Sequence, residues 1–209
     1  STLFPYTTLF RSQPLVQLWF HANGVDESNV HQPYKPKSHG LGNSQVLPRD
    51  YVKQRDIEVV LSEIAEQVAI RMRREHLKAT IVSVVVTYSK TEMKQPINTQ
   101  MKIEPTNQTR LLTDTVLTLF RKKYTSGAVR GIAVNYSGFV DESYALISLF
   151  DDVEATEKEE NLQRTIDHIR DQFGFLAVQK GTALLDSSRN IARSKLIGGH
   201  SAGGLEGRG

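Results

Sequence analysis

Apolar residues recur at helical spacing in two central stretches of the chain. Across residues 52–76, Ile57, Val60, Leu61, Ile64, Val68 and Met72 fall on one stripe, which predicts an amphipathic helix. Across residues 109–124, Leu112, Val116, Leu119 and Phe120 form a second stripe, with Gly127 just beyond its end. The surrounding stretches have period two. In 80–88, Val82, Val84, Val86 and Tyr88 take one face and Ser83, Val85 and Thr87 the other. In 97–103, Thr99, Met101 and Ile103 oppose Asn98, Gln100 and Lys102. In 129–136, Ile132, Val134 and Tyr136 oppose Gly131, Ala133 and Asn135. A short edge strand is expected at 44–47, ending at Pro48, because proline cannot donate to a ladder.

The resulting order is β-α-β-β-α-β, the split βαβ, ferredoxin-like arrangement of an α+β fold. It predicts a four-stranded sheet with both helices on one face and the other face open. By alternation the open face carries Ser83, Val85, Thr87, Asn98, Gln100, Lys102, Gly131, Ala133 and Asn135. These are small or polar and include no aromatic ring. Single-stranded bases stack on rings, so this face does not suit them. Hydroxyl, amide and backbone N–H donors beside a lysine suit a phosphate backbone. The alternatives are an ordinary solvated face, or one covered by the C-terminal extension.

That extension contains a further amphipathic pattern at 157–173, with Leu162, Ile166, Ile169 and Phe173 aligned, Thr156 as a candidate N-cap and Gly174 as the stop. Packing on the domain is its expected role, with binding of a partner the alternative. Towards the other end, the run Trp19, Phe20, Asn23, Gly24 reads as a helix stopped by a residue suited to positive φ. Residues 31–42 are rich in Pro, Lys, Ser and Gly, as in a linker. Residues 2–12, Thr2-Leu-Phe-Pro-Tyr-Thr-Thr-Leu-Phe-Arg-Ser12, agree codon for codon with a common short-read sequencing adapter. They are therefore excluded from fold reasoning, and genuine sequence is expected to start near Gln13.

Composition adds three things. The 209 residues suffice for one domain with extensions. There is no cysteine, which excludes disulfides and thiolate metal sites and fits a reducing cytoplasm. The net charge of +3 hides an asymmetry. Residues 37–140 hold 16 Lys and Arg against 9 Asp and Glu, and residues 141–174 hold 3 against 10. A basic block beside an acidic one points to an anionic partner for the first. The six histidines show no paired metal spacing. Asp151 and Asp152 sit in an acidic run, and the Gly-rich tail lacks a phosphate-loop pattern. Arg121-Lys122-Lys123 closes the second helix, where cations suit the dipole as well as they suit DNA.

Several segments in order resemble the Y-family, lesion-bypass DNA polymerases. Lys37-Ser38-His39-Gly40 is similar to the family's Lys-Ser-Ile-Gly tether. The helix at 52–76, the strand at 79–87 and Val129-Arg-Gly-Ile-Ala-Val-Asn-Tyr136 follow as in its little-finger domain. Leu146-Ile147-Ser148-Leu149-Phe150 resembles the Gln-Leu-Ser/Asp-Leu-Phe peptide that binds the bacterial sliding clamp, with Leu146 in place of Gln; the alternative is that these residues pack on the domain as a C-terminal strand. Arg193-Ser-Lys-Leu-Ile-Gly-Gly-His200 resembles the tail of the ImpB/MucB/SamB group of UV-damage repair proteins.

The resemblance implies a thumb remnant at 13–30, a basic linker at 31–42 and a little-finger DNA-binding domain at 43–140. A clamp-binding-like segment at 141–153 and a C-terminal helix and tail at 154–209 follow. It implies DNA contacts from Lys35, Lys37, Ser38, Ser83, Thr87, Asn98, Gln100, Lys102 and Asn135, and clamp contacts from Leu146, Ile147, Ser148, Leu149 and Phe150. The expected partners are primer–template DNA and the sliding clamp, with the protein a cytoplasmic monomer. Full-length members of the family use Mg²⁺ and dNTPs on palm carboxylates. This chain shows no palm or fingers, so it is expected to need no cofactor and to be inactive alone. The competing function is a ferredoxin-like protein-interaction or regulatory domain that does not bind DNA.

Overall fold

The computed structural model describes residues 19–25, 39–143, 153–194, 196–197 and 200–201. The chain divides into two units, 1–37 and 38–209. In the first, a helical turn at 19–22 ends as its sequence predicts. Gly24 has φ 75°, its N–H donates to His21 O, and Val25 N–H donates to Phe20 O. Trp19 and Phe20 pack edge to face, with ring centroids 5.2 Å apart.

The second unit contains the expected core. Strand β1 (Gly40–Tyr51) leads to helix α1 (Gln54–Arg74), then β2 (Leu77–Tyr88), β3 (Ile97–Thr106), α2 (Thr109–Lys123) and β4 (Val129–Ser137). A two-residue strand, β5 (Val140–Asp141), pairs with the start of β2. The sheet order is β1-β4-β2-β3 with every pairing antiparallel. Both crossovers are therefore split: β4 lies between β1 and β2, and β2 lies between β3 and β4. Both edges of the two central strands, β4 and β2, are paired, and β2 is the most β-branched strand of the sheet.

All six residues of the α1 stripe are fully buried, as are Leu112, Val116 and Phe120 of α2. They meet Val82, Val84, Val86, Ile132, Val134 and Tyr136 from the sheet. Each such side chain contributes roughly 1.5–3 kcal/mol by leaving water. Tyr136 shows how polarity is tolerated here. Its hydroxyl donates to Ala65 O at 3.1 Å, and burial pushes the phenol far above its ordinary pKa.

Strand β1 is longer than its sequence predicts. It runs from Gly40, inside the expected linker, to Tyr51, past Pro48. Gly40 and Gly42 are poor strand formers, but pairing with β4 from Gly40–Ser137 to Val46–Gly131 overrides that preference. Pro48 falls where the register shifts between Val46 and Tyr51, on an edge strand, so no ladder bond is sacrificed.

The described part of the C-terminal extension packs on the helix side, and no described residue of it covers the sheet face. Helix α3 (Val153–Phe173) starts four residues before the expected 157, upstream of Thr156. Glu154 and Glu157 suit a helix N-terminus, so no cap is needed at 156. Gly174 stops the helix with φ 89°. Two 3₁₀ turns (Phe175–Ala177 and Gly181–Leu184) lead to α4 (Asn190–Ser194). Beyond it, β6 (Leu196–Ile197) pairs with β7 (His200–Ser201).

Helix α3 docks through its polar side, not its apolar stripe. Asp167 takes a bidentate pair from Arg73 at 2.6 and 3.1 Å, Asp171 meets Arg74, and Gln163 accepts from the Thr109 hydroxyl. Leu162 is 53% and Phe173 73% exposed, and Ile166 and Ile169 are half-buried. The outer side of α1 carries Glu63, Glu66, Arg73 and Arg74, and charges covered by another element must be paired. Arg170 and Lys180 meet Glu66 at 2.9 and 3.0 Å, and the Ser188 hydroxyl and Arg189 N–H donate to Glu63. Burial raises the Glu66 pKa, but Lys180 and Arg170 together outweigh it and hold the carboxyl below its usual range. Burial dominates at Glu63 and pushes its carboxyl up, against the two hydrogen bonds.

Candidate nucleic-acid interface

The strand registers assemble the open face row by row. Gly42, Asn135, Ser83 and Gln100 lie side by side across all four strands. The next row holds Ser44, Ala133, Val85 and Asn98. On the far side lie Gly40, Ser137, Ile81 and Lys102. Val46, Gly131 and Thr87 close the other end. Of the sequence-predicted DNA contacts, Ser83, Thr87, Asn98, Gln100, Lys102 and Asn135 are thus brought onto one surface. Lys35, Lys37 and Ser38 lie outside the described residues, as do Leu146, Ile147, Ser148, Leu149 and Phe150.

The β1 contribution escapes a sequence reading that confines this strand to 44–47. Its signal is the alternation Gly40, Gly42, Ser44, Val46 against Leu41, Asn43, Gln45, Leu47, which the glycines and Pro48 obscure.

Two glycines make the face flat. A Cβ on Gly42 would sit 2.8 Å from Asn135 Oδ1, and one on Gly131 would sit 2.4 Å from Thr87 Oγ1. Both neighbours therefore lie down over bare backbone instead of standing out. The face has no ring and little internal bonding. Its side-chain hydrogen bond is Ser83 Oγ to Gln100 Oε1 at 3.5 Å, a long one. The Asn135 amide has no hydrogen-bond partner among the described residues, and neither has the Lys102 ammonium. A flat surface with unpaired amides, hydroxyls and one cation can present several donors at once to a regular row of acceptors.

Arg121, the other candidate basic group on the helices, is engaged elsewhere. It pairs bidentately with Glu58 at 2.8 and 2.7 Å, on the helix side of the domain. The Glu58 carboxyl is held below its usual range by that guanidinium. Among the described residues no three His, Asp or Glu side chains converge as a metal site would require. No helix among the described residues is long and apolar enough to cross a membrane.

The fold and this face define an α+β domain with split crossovers, covered on one side and, among the described residues, open on the other. The model of the impB/mucB/samB family C-terminal domain matches residues 38–149, and the chain belongs to that family. It is 34% identical over 184 residues to "DNA polymerase IV 2" of Halalkalibacterium halodurans, covering 88% of this chain and 44% of that protein. It is 32% identical over 187 residues to "Putative UV-damage repair protein UvrX" of Bacillus subtilis (strain 168), covering 89% and 44%. "DNA repair protein homolog YobH" of the same organism is 37% identical over 109 residues, 52% of this chain and 50% of that one. The chain thus spans under half the length of the first two relatives and half of the third. A solved structure described as "Complex of beta-clamp processivity factor and little finger domain of PolIV" matches 54% of this chain and 100% of that one. Its TM-score of 0.41 and 12% identity are too distant to bear on function.

Proposed function

We propose that residues 40–137 form the DNA-gripping little-finger module of an error-prone, lesion-bypass DNA polymerase acting in repair. The observation that carries this reading is the open sheet face, flat and rich in unpaired donors, in a chain of the impB/mucB/samB family. Relatives named as a DNA polymerase and as a UV-damage repair protein support the repair context, and a role in UV protection and the SOS response belongs to the same proposal. The face takes the phosphate backbone of duplex DNA near a primer–template junction. Ser83, Thr87, Asn98, Gln100, Lys102 and Asn135 donate to it, and Lys35, Lys37 and Ser38 extend the contact along the linker. Backbone contacts fix position without reading bases, which suits a protein that must act at damaged and undamaged sequence alike. Leu146, Ile147, Ser148, Leu149 and Phe150 dock on the sliding clamp. The protein works in the cytoplasm.

Binding of labelled duplexes of unrelated sequence, measured at rising salt, tests the DNA reading. Affinity should be similar for all sequences and fall linearly in log–log form, because each neutralised phosphate releases counterions. Salt-insensitive or undetectable binding would leave the chain as a protein-interaction domain. For the clamp, a pull-down with L149A/F150A should lose the bacterial clamp; unchanged capture would remove that partner.

A further inference from the structure

Six described arginines have a carboxylate partner: Arg73, Arg74, Arg121, Arg130, Arg164 and Arg170. Three that have none converge at one place. Arg71, on the last turn of α1, donates from Nη2 to Gly42 O at 2.5 Å. Arg193, from α4, donates from Nη1 to Gln45 Oε1 at 3.0 Å. Arg189 enters the same seam, where its Nε is buried without a partner. Gly42 and Gln45 are three residues apart on β1, about 10 Å along the strand. The acid beside them is Glu63, and its two oxygens are already taken by the Ser188 hydroxyl and the Arg189 backbone N–H. Of the three guanidinium groups, Glu63 acts on that of Arg193, and none of the three has an ion pair among the described residues. Burial, and the Arg189 and Arg71 charges beside it, lower the Arg193 pKa, against an opposing pull from Glu63. An uncompensated cluster of this kind is a cost to the folded chain unless an anion completes it.

We propose that Arg71, Arg189 and Arg193 form a phosphate-binding ridge along the outer edge of β1, through which the C-terminal extension takes part in holding duplex DNA. The proposal rests on the reading of the adjacent sheet face as a DNA surface. Gly42 belongs to both: its backbone carbonyl holds Arg71, and its missing Cβ lets Asn135 lie flat on the open side. Planar guanidinium forks match phosphate oxygens two at a time, so arginine suits this position better than lysine. The ridge gives a task to Arg193, the first residue of the tail segment 193–200. It also gives one to the seam of hydrogen bonds that fixes α4. In that seam Asn43 donates to Gln67, and Gln67 to Asn190 Oδ1, joining β1, α1 and α4.

The test is the salt dependence of duplex binding by the full chain and three variants, each checked for a parent-like thermal unfolding curve. R189Q/R193Q should lower the slope of log affinity against log salt by about two, one for each phosphate no longer neutralised. R189K/R193K keeps the charge and should keep most of the slope. K102Q reports on the sheet face separately. A slope unchanged in R189Q/R193Q but reduced in K102Q overturns the ridge and leaves the face standing. A slope reduced in R189Q/R193Q but unchanged in K102Q keeps the ridge and overturns the face. No binding by the parent chain overturns both.

Discussion

The two sides of this domain treat polar residues in opposite ways. On the helix side, Glu63, Glu66, Arg73, Arg74 and Arg170 are each matched by a partner from another element, and two of the carboxylates are buried. On the sheet side, Asn135 and Lys102 have no such partner among the described residues, and Ser83 has only a long bond to Gln100. Both sides are polar in composition. Where polar groups answer one another, they close a surface; where they are left unanswered on a flat surface, they await a partner. Away from the β1 edge, where Arg71, Arg189 and Arg193 lack acidic partners, the helix side is thus structural, and the sheet side is the one available for recognition.

The sharpest way to break that comparison is to take the partners from a buried carboxylate. Removing both cations in R170A/K180A strands Glu66 among its covered neighbours and should cost about 3–5 kcal/mol in denaturant unfolding. A loss below about 0.5 kcal/mol, of the order typical for surface sites, would mean that the extension is only loosely held.

The flatness of the open face comes next. Gly131→Ala drives a Cβ into Thr87 Oγ1 and should cost about 1–3 kcal/mol. Thr87→Ala in the same chain should restore most of it, and a double-mutant cycle measures that coupling. Additive losses would show that the two side chains do not compete for one space.

Acid separates the two buried glutamates. The folded pKa of Glu66 is lowered, so the stability it lends is present above its ordinary value of 4.5 and is lost as pH falls through the folded value. Glu63, raised by burial, works the other way, because its protonation favours the covered seam. The melting-temperature gap between the parent and E66Q should therefore be wide at neutral pH and close in acid. A gap that is constant with pH would contradict the assignment.

The smallest effect on stability belongs to the sheet face. K102Q and Asn135→Ala should each change unfolding by less than about 0.5 kcal/mol, while weakening DNA binding. A large stability loss would show that these residues are already engaged within the fold.

The sequence displays one side of this contrast better than the other. The α1 stripe and the alternation in β2 and β4 are legible because each places an apolar residue at every core-facing position. From that alternation, with the one in β3, come nine of the face residues. Strand β1 is only partly legible: Gly40, Gly42 and Pro48 argue locally against a strand, and pairing with β4 overrules them. The docking of α3 is hidden for a different reason. Its apolar stripe suggests burial, but the partner surface on α1 is charged, and Glu63 and Glu66 look like ordinary solvent-facing positions of an amphipathic helix. Complementary charges on two elements about a hundred residues apart carry no periodicity. Arg189 and Arg193 escape sequence reading in the same way, since their meeting with Arg71 depends on that docking.

The central claim is that the sheet face, not the α2 and α3 surfaces, meets DNA. Titrating the isotope-labelled chain with a short duplex while following backbone amide resonances tests it most directly. The account predicts the largest shifts at Gly42, Ser44, Ser83, Val85, Asn98, Gln100, Gly131 and Asn135, with the outer side of α2 and the α3 surface unmoved. Shifts confined to α2 and α3, with the sheet amides unchanged, would contradict it.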